Sequence, residues 1–138
     1  MARAVAAAKG AGAKRALVLP VSVPSHCSLM LPASKRLAER LHAVDLRLPE
    51  VPVLHNVDVT AATDLAGLRE RLVSQLYRPV RWVETVQAVA AAGLTRAIEC
   101  GPGKVLAGLN KRIARDLATL PVYDPQTLDL ALEATGNA

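Results

Sequence analysis

The sequence predicts an α/β fold with parallel strand pairing. Short aliphatic runs rich in β-branched residues alternate with amphipathic stretches of helical period. Glycine and proline punctuate nearly every junction between them. Strands that alternate with helices are joined by crossovers, which place neighbouring strands parallel. With 138 residues, 51% of them hydrophobic, the chain has the material for a core. That core is built from Ala, Leu and Val, because Phe is absent and aromatics make up only 2% of the chain.

Ala2 to Gly12 is alanine-rich helix material closed by the Gly10-Ala11-Gly12 breaker. It reads as the tail of a helix. Ala16-Leu17-Val18-Leu19 predicts a short strand stopped by Pro20, and Val21-Ser22-Val23-Pro24 stays extended because proline biases the residue before it out of the helical region. This segment feeds a loop that presents His26. From Leu31 to Val44 the positions Leu37, Ala38, Leu41 and Val44 recur at helical spacing, with Lys35, Arg36, Glu39 and Arg40 outward and Pro32 tolerated in the first turn.

Val51 to Val57 is a β-branched run bounded by prolines and Asp58, and predicts a strand. Asp64 predicts the cap of a helix running to about Tyr77, with Leu65, Leu68, Leu72 and Leu76 on one face and Pro79 ending it. A further helix spans Val83 to Ala92 and stops at Gly93. Thr95 to Cys100 is a short buried strand, and Lys104 to Leu117 is again helical. The tail adds a short strand at Pro121-Val122-Tyr123 and a helix from about Pro125 to Ala134.

Composition excludes several functions. Lys and Arg exceed Asp and Glu by 17 to 12, a net charge of +5 spread along the chain, which favours an acidic partner without naming one. Nucleic acid is disfavoured by the shortage of stacking aromatics and by the absence of zinc-finger, RNP and KH signatures. Cys27 and Cys100 lie far apart and neither sits in a C-x-x-C, so no metal site or disulfide framework is expected. No apolar run is long enough for a membrane span, and the Ala-rich start lacks the apolar stretch of a signal peptide. The expectation is a cytoplasmic protein with reduced thiols and no membrane partner.

His26, in Pro24-Ser25-His26-Cys27, is the first candidate for chemistry, because a loop after a strand holds a side chain firmly while facing a cleft. On spacing alone a structural or surface histidine is the commoner outcome. Ser25 cannot be its nucleophile, since adjacent residues on an extended segment point to opposite faces. Gly101-Pro102-Gly103-Lys104 invites a phosphate-loop reading, but the G-x-x-x-x-G-K-[ST] spacing is not met, and a tight turn packing the following helix is favoured. Cys27 reads as a small packed side chain.

The stretch Leu19-Pro20-Val21-Ser22-Val23-Pro24-Ser25-His26-Cys27-Ser28-Leu29-Met30 resembles the catalytic-histidine segment of the malonyl-CoA:acyl carrier protein transacylases of bacterial fatty acid synthesis. Three more blocks agree in order: Asn56-Val57-Asp58-Val59, Gln75-Leu76-Tyr77-Arg78-Pro79-Val80-Arg81-Trp82 and Gly101-Pro102-Gly103-Lys104-Val105-Leu106. Together they span nearly the whole chain.

The resemblance implies an acyltransferase that moves malonyl from malonyl-CoA to a serine and then to the phosphopantetheine thiol of acyl carrier protein, with no metal or other cofactor. His26 matches the family's general base, and imidazole is the side chain suited to accept and return a proton near neutrality. Gln75 matches the position whose backbone carbonyl orients that histidine, a sound role for a helix end with free carbonyls. Asn56 is a candidate supporting polar group near His26, with a buried asparagine satisfying loop backbone as the alternative. Lys104, Lys111, Arg112 and Arg115 are candidate contacts for the acidic carrier protein or CoA, against the alternative of a solvated basic face.

No G-x-S-x-G elbow occurs in these 138 residues, nor the glutamine-bearing oxyanion loop or the arginine that pairs with the malonyl carboxylate. The resemblance therefore implies the C-terminal part of such an enzyme, inactive by itself. Residues 1–20 would close a ferredoxin-like small subdomain, and residues 21–138 would form the C-terminal portion of an α/β-hydrolase-like large subdomain. One alternative is an acyltransferase domain cut from a polyketide or multifunctional fatty acid synthase, where an H-A-F motif often precedes the histidine; Val23-Pro24-Ser25 stands there instead and favours the discrete enzyme. The other is a non-catalytic remnant that binds carrier protein.

Overall fold

The computed structural model describes residues 1–18 and 20–136. Its helices are α1 (Ala2–Gly10), α2 (Leu31–His42), α3 (Leu65–Ser74), α4 (Trp82–Ala91), α5 (Val105–Ile113) and α6 (Pro125–Thr135). A single 3-10 turn at Ser28–Met30 leads into α2. Strands β1 (Arg96–Cys100) and β2 (Ala118–Val122) pair in parallel through the α5 crossover, with Ile98 opposite Leu120. The chain is thus an α/β protein with the expected parallel pair.

Local signals account for several helix ends. The Asp64 carboxylate accepts the Gly67 N–H at 2.7 Å and starts α3. Gly93, at φ 81°, follows α4 where a left-handed residue is needed. Asp124 and Thr127 form a reciprocal capping box on α6, and Gly136 closes that helix in the left-handed region. Hydrogen bonding from Thr127 to Asp124, led by the main-chain N–H, holds this carboxyl below its ordinary range.

Helices α2 and α3 pack together, and Arg69 on α3 donates from Nε to the Leu41 carbonyl of α2 at 3.2 Å. The sheet carries α5 and α6 against β2. Buried Asn110 joins three elements: its Oδ1 accepts the Trp82 indole N–H at 3.0 Å, and its Nδ2 donates to Thr119 Oγ1 at 3.1 Å. Around it, Val86 and Leu117 lie at 3% exposure and line a largely apolar cavity of about 120 Å³ with Ile98 and Leu106.

Several expectations are corrected. Residues 51–57 form no strand; Leu54 makes one antiparallel bridge to Ala61, while Val51 and Val53 stay 75% and 48% exposed. A β-branched run becomes a strand only where a partner and a half-buried face await it, and here the chain doubles back into a hairpin instead. Residues 16–18 likewise belong to no strand, and Leu19, which ended that expected strand, lies outside the described residues. Helix α5 stops at Ile113 instead of reaching Leu117, because Ala114 turns extended and the Ala118 N–H must reach the Thr95 carbonyl, at 2.9 Å. The last strand therefore begins at Ala118, three residues before the expected start.

Candidate active site

His26 sits on the loop between the extended segment and the 3-10 turn, with its side chain exposed. Its φ of 62° puts a non-glycine residue in the left-handed region, a conformation that costs on the order of 1 kcal/mol and persists only when surrounding bonds impose it. Two such bonds come from one place. The His26 main-chain N–H donates to the Leu76 carbonyl at 2.9 Å, and its Nδ1 lies 2.8 Å from the Gln75 carbonyl. A carbonyl only accepts, so Nδ1 carries the proton and Nε2 keeps its lone pair free. The outcome is an imidazole fixed in the tautomer of a base, held by a neutral dipole.

Gln75 is the C-cap of α3, and the turn that follows leaves its carbonyl unused by the helix. The segment 75–81 is braced at both ends by the hairpin 54–61. On one side Arg71, a turn before Gln75, pairs through Nε with Asp58 Oδ2 at 2.8 Å and donates from Nη2 to Thr60 Oγ1 at 2.9 Å. On the other side the Arg81 main-chain N–H donates to the Asn56 carbonyl at 2.8 Å, and Arg81 in turn pairs with Glu84. Gly67 leaves the room that Arg71 needs, since a Cβ there would meet Arg71 Nη1 at 2.8 Å. Burial works to raise the Asp58 pKa, but the hydrogen bonds from Thr60 and the Arg71 charge outweigh it and hold the carboxyl low.

Within this hairpin His55 is 6% exposed, and its Nε2 has no hydrogen-bond partner among the described residues. Burial, then the nearby Arg71 charge, pushes its pKa below the ordinary imidazole range against the opposing pull of Asp58. Asn56 is joined to Arg81 through its carbonyl; among the described residues its side-chain Oδ1 is buried without a partner, and no hydrogen bond links it to His26. Neither Arg71, Thr60 nor His55 was legible as part of this support, because their convergence depends on the hairpin. Cys27 donates its thiol hydrogen to the Pro24 carbonyl at 3.2 Å.

Lys104, Lys111, Arg112 and Arg115 are all exposed. Lys111, Arg112 and Arg115 line one open groove, and Lys104 joins Lys111 and Arg115 along another beside Pro121. Glu99 occupies the N-terminus of α5, where its two carboxylate oxygens accept the N–H groups of Leu106 and Ala107 at 2.9 and 2.7 Å. The anion that this helix end favours is therefore supplied by the protein itself. Among the described residues no group of three or more His, Cys, Asp or Glu converges to hold a metal ion.

No family model matches the chain. The malonyl CoA-acyl carrier protein transacylase of Salmonella typhimurium is 53% identical over 130 residues, covering 94% of this chain and 42% of its own length. That of Bacillus subtilis is 48% identical over 126 residues, covering 91% and 40%. Among solved structures, a malonyl-transacylase in complex with a type II PKS acyl-carrier protein matches with a TM-score of 0.90 and 49% identity, over 96% of this chain and 43% of that one. An acyl-carrier-protein S-malonyltransferase from Burkholderia pseudomallei matches with a TM-score of 0.88 and 52% identity, over the same shares. By sequence and by fold the chain belongs to the malonyl CoA-acyl carrier protein transacylase family, and it spans about 42% of the length of the curated relatives it matches.

Proposed function

We propose that this chain carries the general base of a malonyl transfer from malonyl-CoA to the phosphopantetheine thiol of acyl carrier protein in fatty acid synthesis. The observation that carries the reading is the 2.8 Å contact between His26 Nδ1 and the Gln75 carbonyl, which leaves Nε2 free to accept a proton. In the first half-reaction Nε2 takes the proton of a serine hydroxyl as its oxygen attacks the malonyl thioester carbon. The carbon–sulfur bond breaks and the same proton passes to the departing CoA thiolate. In the second half the carrier thiol gives its proton to Nε2 as its sulfur attacks the carbonyl carbon of the acyl-serine, the bond from that carbon to the serine oxygen breaks, and Nε2 returns the proton to the departing serine oxygen. No redox or metal cofactor enters this balance.

The serine is supplied outside these residues, since no G-x-S-x-G elbow occurs in them. The isolated chain is accordingly inactive by itself. Residues 1–20 close a ferredoxin-like small subdomain and residues 21–138 belong to an α/β-hydrolase-like large one. That α1 buries none of its residues against the rest of the chain supports this division. The basic side chains Lys104, Lys111, Arg112 and Arg115 receive the acidic carrier protein or CoA, a role supported by their shared grooves. A cytoplasmic setting accords with the free thiols of Cys27 and Cys100, and no helix of the described chain is long and apolar enough to cross a membrane.

The likeness to a transacylase solved in complex with a type II PKS acyl-carrier protein favours a second reading, in which the carrier belongs to polyketide synthesis. Transfer of labelled malonyl from CoA to each kind of carrier protein tests both. The assay uses the chain joined to the portion of the Salmonella relative that it does not match. Turnover that depends on His26 supports the reading, and turnover unchanged in His26→Ala overturns it.

A further inference from the structure

The hairpin 54–61 is held shut by the peptide groups of one residue. Its ends meet at the antiparallel bridge between Leu54 and Ala61. Inside that bridge the His55 N–H donates to the Thr60 carbonyl at 3.0 Å, and the His55 carbonyl accepts the Val59 N–H at 2.8 Å. Val59 closes the turn at φ 64°, in the left-handed region that a β-branched side chain enters only under constraint. That strain works against closure, so the hairpin depends on the bonds of His55.

The imidazole of His55 suits this closure only while neutral. It is 6% exposed, and its buried Nε2 has no hydrogen-bond partner among the described residues. An imidazolium donates from both ring nitrogens, so protonation would leave a charged N–H buried without an acceptor. The surrounding charges offer no remedy. Arg71 from α3 and Asp58 within the hairpin act on the ring with opposite signs, the arginine more strongly, and Asp58 is already engaged by Arg71 at 2.8 Å. Glu70, Tyr77 and Arg78 line the polar cavity beside Asp58, while Arg81 and Glu84 at the start of α4 pair with each other. Burial first, and then Arg71, holds the ring below the ordinary imidazole range, whereas a ring released from the hairpin protonates near ~6.5. Acid therefore favours the open hairpin.

Two routes lead from the hairpin to His26. Thr60 Oγ1 and Asp58 Oδ2 hold Arg71, whose carbonyl accepts the Gln75 N–H at 3.0 Å. The Asn56 carbonyl, next to His55, accepts the Arg81 N–H at 2.8 Å. Between these two anchors lie the Gln75 and Leu76 carbonyls that hold the Nδ1 and the main-chain N–H of His26. We propose that His55 is a positioning residue for His26: neutral, it keeps the hairpin closed and the carbonyls of residues 75 and 76 in place, and its protonation frees the hairpin and lowers kcat without changing KM. The inference rests on the catalytic reading of His26.

The test uses this chain joined to the portion of the Salmonella relative that it does not match, and compares it with its His55→Asn variant, whose amide does not titrate. Malonyl transfer is followed from pH 8 to pH 5, each protein against its own value at pH 8, so that the titration of His26, common to both, cancels. Asp58 is held low and stays charged over this range. Misplacing a reacting group by about 1 Å can cost ~10²-fold. Because burial opposes protonation and release is incomplete, kcat of the native protein is expected to fall about tenfold further than that of the variant, with KM unchanged. Amide hydrogen exchange separates this from global unfolding: His26 and Arg81 should lose protection at pH 5 while Ala118, bonded to the Thr95 carbonyl beside the sheet, keeps it. Should His55→Asn not fold, that pattern in the unsubstituted protein decides. Parallel kcat profiles, a change confined to KM, retained protection at His26, or protection lost at His26 and Ala118 together would overturn the proposal. Transfer unchanged in His26→Ala overturns the catalytic reading itself, whereas His26-dependent transfer with parallel profiles sinks only the role of His55.

Discussion

The imidazole of His26 and the main-chain carbonyl of Gln75 meet at 2.8 Å across 49 positions of sequence. The acceptor is a peptide oxygen, so the contact is insensitive to the side chain at position 75 and sensitive to the path of the chain there. In the assembled protein His26→Ala should lower malonyl transfer by about 10²–10⁴-fold, the usual worth of general-base catalysis. Gln75→Ala should leave it within a few-fold, and Gln75→Pro should be severe because Gln75 donates its own N–H to the Arg71 carbonyl at 3.0 Å. Steady-state kinetics of the three variants check this; a Gln75→Ala as damaging as His26→Ala would mean that the amide side chain acts directly.

The brace at Arg71 predicts a different pattern. Arg71→Ala removes the pair with Asp58 and the bonds to Thr60, whose side chains are partly exposed, so a stability loss of about 1 kcal/mol is expected. Because the brace acts on how His26 is held, kcat should fall while KM stays put. Gly67→Ala should reproduce part of this by pushing the guanidinium aside. Urea unfolding and kinetics on the same samples separate the two effects.

His55 predicts pH-dependent stability. Its folded pKa lies below the unfolded value of about 6.5, so the unfolded chain binds the extra proton. The stability that goes with neutral His55 is fully present above that unfolded value. It is lost as pH falls through the lower folded one. Urea midpoints between pH 8 and pH 5 should decline more steeply for the native protein than for His55→Asn. Parallel declines would exclude the assignment.

Asn110 predicts an asymmetric penalty. Asn110→Ala strands the Trp82 indole N–H and loosens Thr119, at a cost of about 1–3 kcal/mol for the unsatisfied groups. Adding Trp82→Phe should cost less than the sum of the two single changes, because the orphaned donor is removed with it. Thermal unfolding of the double-mutant cycle reads the difference.

The sequence by itself determined the α/β class, the parallel crossover around α5 and the main helices, because these rest on signals a few residues apart: the Asp64 cap, the Gly93 stop and the apolar spacing of α2. It also singled out His26 and the Gln75 carbonyl, through a resemblance carried by motifs spread along the chain. Tertiary structure alone decided that residues 54–61 form a hairpin and not a strand, that His26 adopts a left-handed backbone, and that Glu99 fills the end of α5. Each of these depends on a partner distant in sequence or on the turn that delivers it. A β-branched run does not carry the identity of its neighbour, and a non-glycine residue at positive φ is stable only where remote carbonyls, here those of Gln75 and Leu76, hold it there.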